Sequence, residues 1–176
     1  MSPTLASLDL CGTGYCASLN FRRTARAVTR MYDTAMQDSG VRSTQFAILV
    51  GVAKTQPVSM GTLADVLVLD RTTLTRSVRL LQKEKLITIS KRSTMRQRFL
   101  QLTPVGEKAL AKSLPLWRAV QARFVSTIGS DYWLKLRGEL ERMARTTMTM
   151  TSLAEADASP SCGPADDSGR TPKTIN

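Results

Sequence analysis

The chain has 176 residues, enough for one domain with a substantial apolar core, and carries 25 Lys and Arg against 14 Asp and Glu, a net charge of +11. It contains no histidine, which removes imidazole acid/base catalysis, Ser-His and Cys-His nucleophile pairs and imidazole metal ligation in one step. With no Gly-rich phosphate loop, no Cys-x-x-Cys pair, no secretory signal pattern and no apolar run long enough to span a membrane, the expectation is a cytoplasmic protein with an acidic partner, not an enzyme, and with no cofactor or metal.

Residues 1–15 contain Pro3, Gly12 and Gly14 with little periodicity and are expected to be flexible. Residues 16–38 predict a first helix: Phe21, Ala25, Val28, Tyr32 and Ala35 keep helical spacing as a buried stripe, and Arg22, Arg23, Arg26 and Arg30 lie around it. Gly40 ends this helix, Ser43 or Thr44 caps the next, and Phe46, Leu49, Val50 and Ala53 line that helix's inner face. Pro57 forces a break, after which Ser59 caps a short helix that turns Leu63, Ala64 and Leu67 inward.

Asp70 is a good N-cap for a helix over residues 71–85, and that helix divides cleanly into two faces. Leu74, Val78 and Leu81 recur at i, i+4 and i+7 and should meet a core; Thr72, Thr75, Arg76, Arg79 and Lys83 take the opposite side. Two short helices joined by a tight turn make a helix-turn-helix. Next comes a β-rich alternation over residues 86–90, a basic stretch over 91–98, and a second short strand to Leu102, which together predict a β-wing. From Arg71 to Arg98 there are nine Lys or Arg and one acid, Glu84, so this window holds +8 of the formal +11. Clustered charge, motif and fold coincide, which points to double-stranded DNA. The residues expected to touch it are Arg71, Thr72, Thr73, Thr75, Arg76 and Arg79 on the helix, and Lys91, Arg92, Arg96 and Arg98 on the wing.

Thr103 and Pro104 are placed as N-cap and first residue of a long helix to about Ile128, with Leu110, Leu114, Trp117, Val120, Phe124 and Ile128 on its apolar face and Pro115 expected to bend it. Gly129 breaks the chain and Ser130 caps a last helix. Trp133, Leu136, Leu140, Met143, Thr147 and Met150 alternate gaps of three and four along it, a heptad-like seam that suits an internal core, a dimer interface or both. From Leu153 the composition turns to Ala, Asp, Ser, Pro, Gly and Thr, and residues 153–176 are expected to be a disordered tail.

The set Leu63-Ala64, Asp70 to Arg76, Leu80-Leu81, Leu86-Ile87, the wing, and Leu102-Thr103-Pro104-Val105-Gly106 resembles the MarR family of bacterial winged helix-turn-helix transcriptional regulators over residues 16–150. The resemblance implies a mainly α fold with a small β-wing: a winged helix-turn-helix over about residues 41–103 within a single domain over 16–152, with N- and C-terminal dimerisation helices over about 16–38 and 104–152. It also implies a homodimer, usually a repressor, on a pseudo-palindromic operator, relieved by a small aromatic ligand or by an oxidant. Arg96 takes the place of the family's wing arginine; Thr94 stands where many members have an aspartate that braces it.

Three readings of Cys16 stand side by side: a small packed apolar residue, a redox-sensing thiol with Cys11 as its resolving partner, or soft-metal capture by the two thiols. Two functions of other classes compete with the regulator, a winged helix turned protein-interaction module and a thiol peroxidase based on Cys16.

Overall fold

The computed structural model describes residues 13–91 and 98–157; Cys11, Arg92, Arg96 and the expected tail from residue 158 onward lie outside the described residues. In chain order the elements are α1 (Ala17–Met36), α2 (Ser43–Thr55), β1 (Val58–Ser59), α3 (Met60–Leu67), α4 (Arg71–Lys83), β2 (Ile87–Lys91), β3 (Arg98–Leu102), α5 (Pro104–Ile128) and α6 (Ser130–Asp157). This is the mainly helical, winged helix-turn-helix architecture expected. By contacts the chain divides into one unit ending at Ser130 and another beginning at Asp131. No helix among the described residues is long and apolar enough to cross a membrane.

The core of the first unit is built around the inner face of α4. Leu74, Val78 and Leu81 are fully buried, and Leu63, Ala64, Phe46, Leu49, Val52 and Leu100 join them in one apolar cluster. α2 is more deeply buried than its expected stripe: Ile48 and Val52 lie inside, whereas Val50 and Ala53 are half-buried. The reason is position, since α1, α3, α5 and β3 all pack on α2. Phe46 stacks on Trp117 of α5 with ring centroids 5.7 Å apart, within the range of favourable aromatic pairs.

The wing is a three-stranded antiparallel sheet in the order β1-β3-β2, with Ile87 opposite Leu102 and Lys91 opposite Arg98. β1 was not expected. It is a two-residue strand, Val58 pairing Leu100 and Ser59 pairing Phe99, too short for any alternation to reveal.

Local hydrogen bonds set the helix ends. Ser59 Oγ accepts from the Thr62 N–H at 3.1 Å, Asp70 Oδ1 from the Thr73 N–H at 2.8 Å, and Thr103 Oγ1 from the Gly106 N–H at 3.0 Å, so these three expected caps are present, whereas Ser130 is the first residue of α6 rather than its cap. Thr103 also closes the wing at its base: its N–H donates to the Leu86 carbonyl at 3.1 Å. α2 departs from expectation. Ser43 is its first residue rather than its cap, and the acceptor comes from another helix: Asp33 Oδ1 of α1 takes both the Ser43 N–H and hydroxyl, at 2.7 and 2.6 Å. α4 ends at Lys83, short of residue 85, because Lys85 adopts φ +60°. α5 runs unbroken through Pro115.

The expected buried stripe of α1 is corrected. Val28 and Tyr32 are half-buried and Met36 is inside, but Phe21, Ala25 and Ala35 are exposed, because no described element covers them and every residue from Ala17 to Ala27 is open to solvent. A 3-10 turn at Thr13–Tyr15 precedes α1, inside the segment expected to be flexible. At the other end α6 continues to Asp157, past the composition change at Leu153. Along its seam Trp133 and Leu136 are half-buried, while Leu140, Met143, Thr147 and Met150 are exposed.

Gly106 is where two backbones meet. A Cβ there would lie 2.0 Å from the Leu86 carbonyl oxygen. Gly106→Ala should therefore destabilise the chain by about 3 kcal/mol, at the upper end of overpacking effects, because the obstacle is main chain and cannot rotate away; a denaturant midpoint indistinguishable from wild type would contradict this. Asp70 supplies a second expectation. The Thr73 hydroxyl and backbone N–H hold its carboxyl below the usual carboxylate value. A depressed folded pKa means stability that is present above the unfolded value and lost as pH falls through the folded one. Asp70→Ala should lower the melting temperature at neutral pH, with the gap to wild type closing only in strong acid.

Candidate nucleic-acid interface

α4 is rotated so that its charged face has no choice of direction. With Leu74, Val78 and Leu81 committed to the core, Arg71, Thr72, Thr73, Arg76 and Arg79 are exposed. Arg71, Thr72, Thr75, Arg76 and Arg79 border a shallow concavity of about 440 Å³ on this face. Arg71 and Arg79 also line a second cleft of about 460 Å³, which runs from the start of α3 at Ser59 and Gly61 across α4 to Ile89 and Arg98 at the base of the wing.

The two clefts join the helix arginines to the wing in one basic surface. Arg98 opens β3 and is exposed, and Lys91 pairs with it across the ladder at the end of β2. The structure thus brings together Arg71, Thr72, Thr75, Arg76, Arg79 and Arg98 around the two clefts, leaves Thr73 exposed on α4 outside both, and sets the Lys91 backbone beside Arg98. Ser59 and Gln82 join the cleft without having been expected there. Gln82 had a readable signal, standing seven residues after Thr75 and three after Arg79 on the same helical face.

The guanidiniums are not engaged elsewhere. Among the described residues the ion pairs are Arg137 with Glu141 and Arg142 with Glu139, both within α6. Arg71, Arg76, Arg79 and Arg98 have no carboxylate within ion-pair distance there. Thr75 is more constrained than expected: half-buried, with its hydroxyl donating to the Arg71 carbonyl at 2.6 Å, it keeps acceptor capacity and a methyl for an incoming group. Asp70 fixes the first turn that carries Arg71, Thr72 and Thr73.

Cys16 lies elsewhere. It is exposed at the N-cap of α1 and makes no side-chain cap bond, and its carbonyl accepts from the Asn20 N–H and side-chain amide. Within one copy nothing packs over the Cys16 side chain, which is open to solvent among the described residues. Between α1 and α5 runs a larger groove of about 800 Å³, lined by Met31, Leu116, Val120 and Phe124 with Arg30 and Arg123 among its polar residues. Near this helix pair the Tyr32 hydroxyl, its pKa raised by burial, donates to Gln121 Oε1.

No protein-family model and no curated protein matches the chain. Solved structures do. The chain is similar to the Mycobacterium tuberculosis transcriptional regulator MosR, solved in complex with DNA, at 31% identity and a TM-score of 0.71, covering 77% of this chain and 98% of that one. At 18% identity and TM-scores of 0.61, two Rhodococcus proteins share the fold. One is CouR of R. jostii RHA1, solved bound to p-coumaroyl-CoA, with 73% of this chain and 91% of that one covered. The other is a MarR-family regulator from Rhodococcus sp. RHA1, with 73% and 95% covered. With its buried α4 seam, its basic outer face, its three-stranded wing and this near-complete match to MosR, the chain belongs to the MarR family of winged helix-turn-helix transcriptional regulators.

Proposed function

We propose that the chain binds an operator in double-stranded DNA as a homodimer and regulates transcription from it, most simply as a repressor. The observation that carries this reading is the face of α4. Three arginines without an ion-pair partner among the described residues and two threonines stand exposed opposite a fully buried seam, and the basic surface continues onto the base of the wing. In this reading Arg71, Thr72, Thr73, Thr75, Arg76 and Arg79 enter the major groove, where arginine reads guanine and threonine reaches base edges or phosphates. Lys91, Arg92, Arg96 and Arg98 follow the flanking backbone and minor groove.

Two copies are called for by what one copy leaves bare. Leu19 and Phe21 of α1 and Tyr132, Leu134, Leu140 and Met143 of α6 are exposed, and no described residue of α6 is buried. Apolar helices in that state support an interface with a second copy. The groove between α1 and α5, apolar with two arginines, suits a small aromatic acid as effector. Exposed Cys16 supports thiol oxidation as the other route to release.

Selection of duplexes from a random pool by the full chain should enrich one pseudo-palindrome with half-sites about one helical turn, ~34 Å, apart. Affinity for it should fall by ~0.9 log units per log unit of salt for each phosphate neutralised. Arg76→Ala should lose ~1–3 kcal/mol on the selected duplex only, whereas Arg98→Ala should weaken selected and random duplexes alike and reduce the salt slope by ~1. An unenriched pool would reject the regulator and bring the protein-interaction module forward. Leu140→Glu with Met143→Glu should sediment as a monomer and lose operator binding; a dimer in that variant would rule out α6 as the interface. For the signal, Arg123→Ala should abolish release by salicylate, and Cys16→Ser should abolish release by peroxide. Whichever response wild type lacks removes that arm, and peroxide turnover with a thiol reductant would instead indicate a peroxidase.

A further inference from the structure

Gln45 is a polar side chain in the core of the first unit, 8% exposed and hydrogen-bonded at both ends. Its Oε1 accepts from the Arg42 N–H at 2.9 Å, and its Nε2 donates to Glu84 Oε2, also at 2.9 Å. Glu84 is the C-cap of α4 and the lone acid among residues 71–98. Two residues before Gln45, Ser43 gives both its N–H and its hydroxyl to Asp33 of α1. The first turn of α2 is therefore tied to α1 on one side and to the end of α4 on the other, within three residues.

Volume alone does not require this arrangement, because a leucine would fill the Gln45 site. What a leucine cannot supply is direction. An amide donating to a carboxylate is a charge-assisted bond with a narrow angular range, and in a partly buried setting its loss leaves Glu84 without that donor. Sliding α4 along or about its axis would break the bond, while the apolar seam alone tolerates small shifts.

We propose that Asp33, Ser43, Gln45 and Glu84 form a polar joint that sets the pose of α4 relative to α1, and through α1 the spacing of the two α4 helices in the homodimer. These are positioning residues, since none of them borders the clefts on the α4 face. The inference rests on the reading of α4 as the helix that enters DNA. It adds the part that makes the reading specific, since a dimer discriminates operators only if its two helices are held at one separation.

The test uses the full chain and the selected duplex, a copy with its half-sites moved one base pair apart, and a random duplex. Gln45→Glu removes the donor and sets a carboxylate against Glu84. It should lower affinity for the selected duplex about tenfold, the lower range for a hydrogen bond to a charged group, and flatten the preference over the shifted copy, with random-duplex affinity unchanged. Adding Glu84→Gln reverses the polarity of the same bond and should restore both affinity and spacing preference, a recovery that a general packing defect would not show. An operator affinity indifferent to Gln45→Glu would overturn the joint. So would an equal loss on selected and random duplexes that Glu84→Gln leaves unrepaired. A wild-type chain that holds no selected duplex would overturn the DNA reading and the joint with it, whereas a binding wild type beside an indifferent variant overturns the joint alone.

Discussion

Burial of Leu74, Val78 and Leu81 is the constraint on which the rest depends. A helix has one rotational freedom about its axis, and three fully buried side chains on one stripe fix which face turns inward, to within small shifts. Each such side chain is worth roughly 2 kcal/mol relative to exposure, so turning the stripe outward would forfeit a large part of a typical domain's stability. The direction of Arg71, Arg76 and Arg79 is thus a by-product of core packing. Their chemistry is free to vary at little structural expense, because among the described residues no carboxylate pairs with their guanidiniums.

Electrostatics follows the same division. Eight of the eleven net positive charges fall between Arg71 and Arg98, and the acids that form ion pairs among the described residues sit in α6. A surface that left those arginines beside carboxylates would spend their hydrogen-bonding capacity internally. Here the field over α4 and the wing stays unneutralised, and the one acid in the window, Glu84, turns to Gln45 instead.

What could be read from the chain was whatever is encoded locally. The α4 seam, the caps at Ser59, Asp70 and Thr103, and the two longer wing strands all announce themselves within a few residues, by spacing or by a side chain that reaches its own helix end. The proposed site was drawn from the same local signals, and six of its ten expected positions border the two described clefts. What escaped depends on partners far away in sequence. Asp33 caps a helix ten residues on, β1 exists because β3 passes beside it, and Ile48 and Val52 are inside because four elements converge on α2. Phe21 and Ala25 failed in the opposite sense: their helical spacing is real, but periodicity tells only that a face wants cover, and the single chain does not supply it.

Thr103 has a further consequence. Its N–H closes on the Leu86 carbonyl, so the two ends of the β2–β3 hairpin meet at one point. Between those residues Ile87 and Leu100 are anchored in the core, and the start of α5 is referenced to this buried base of the hairpin rather than to the β2–β3 connection. Residues added or removed between β2 and β3 then alter the reach of the wing without changing the register of anything beyond Thr103, and lengthening such a loop adds only about 0.6 kcal/mol per doubling. Relatives built on this plan can therefore diverge in wing length while the helical body stays superimposable.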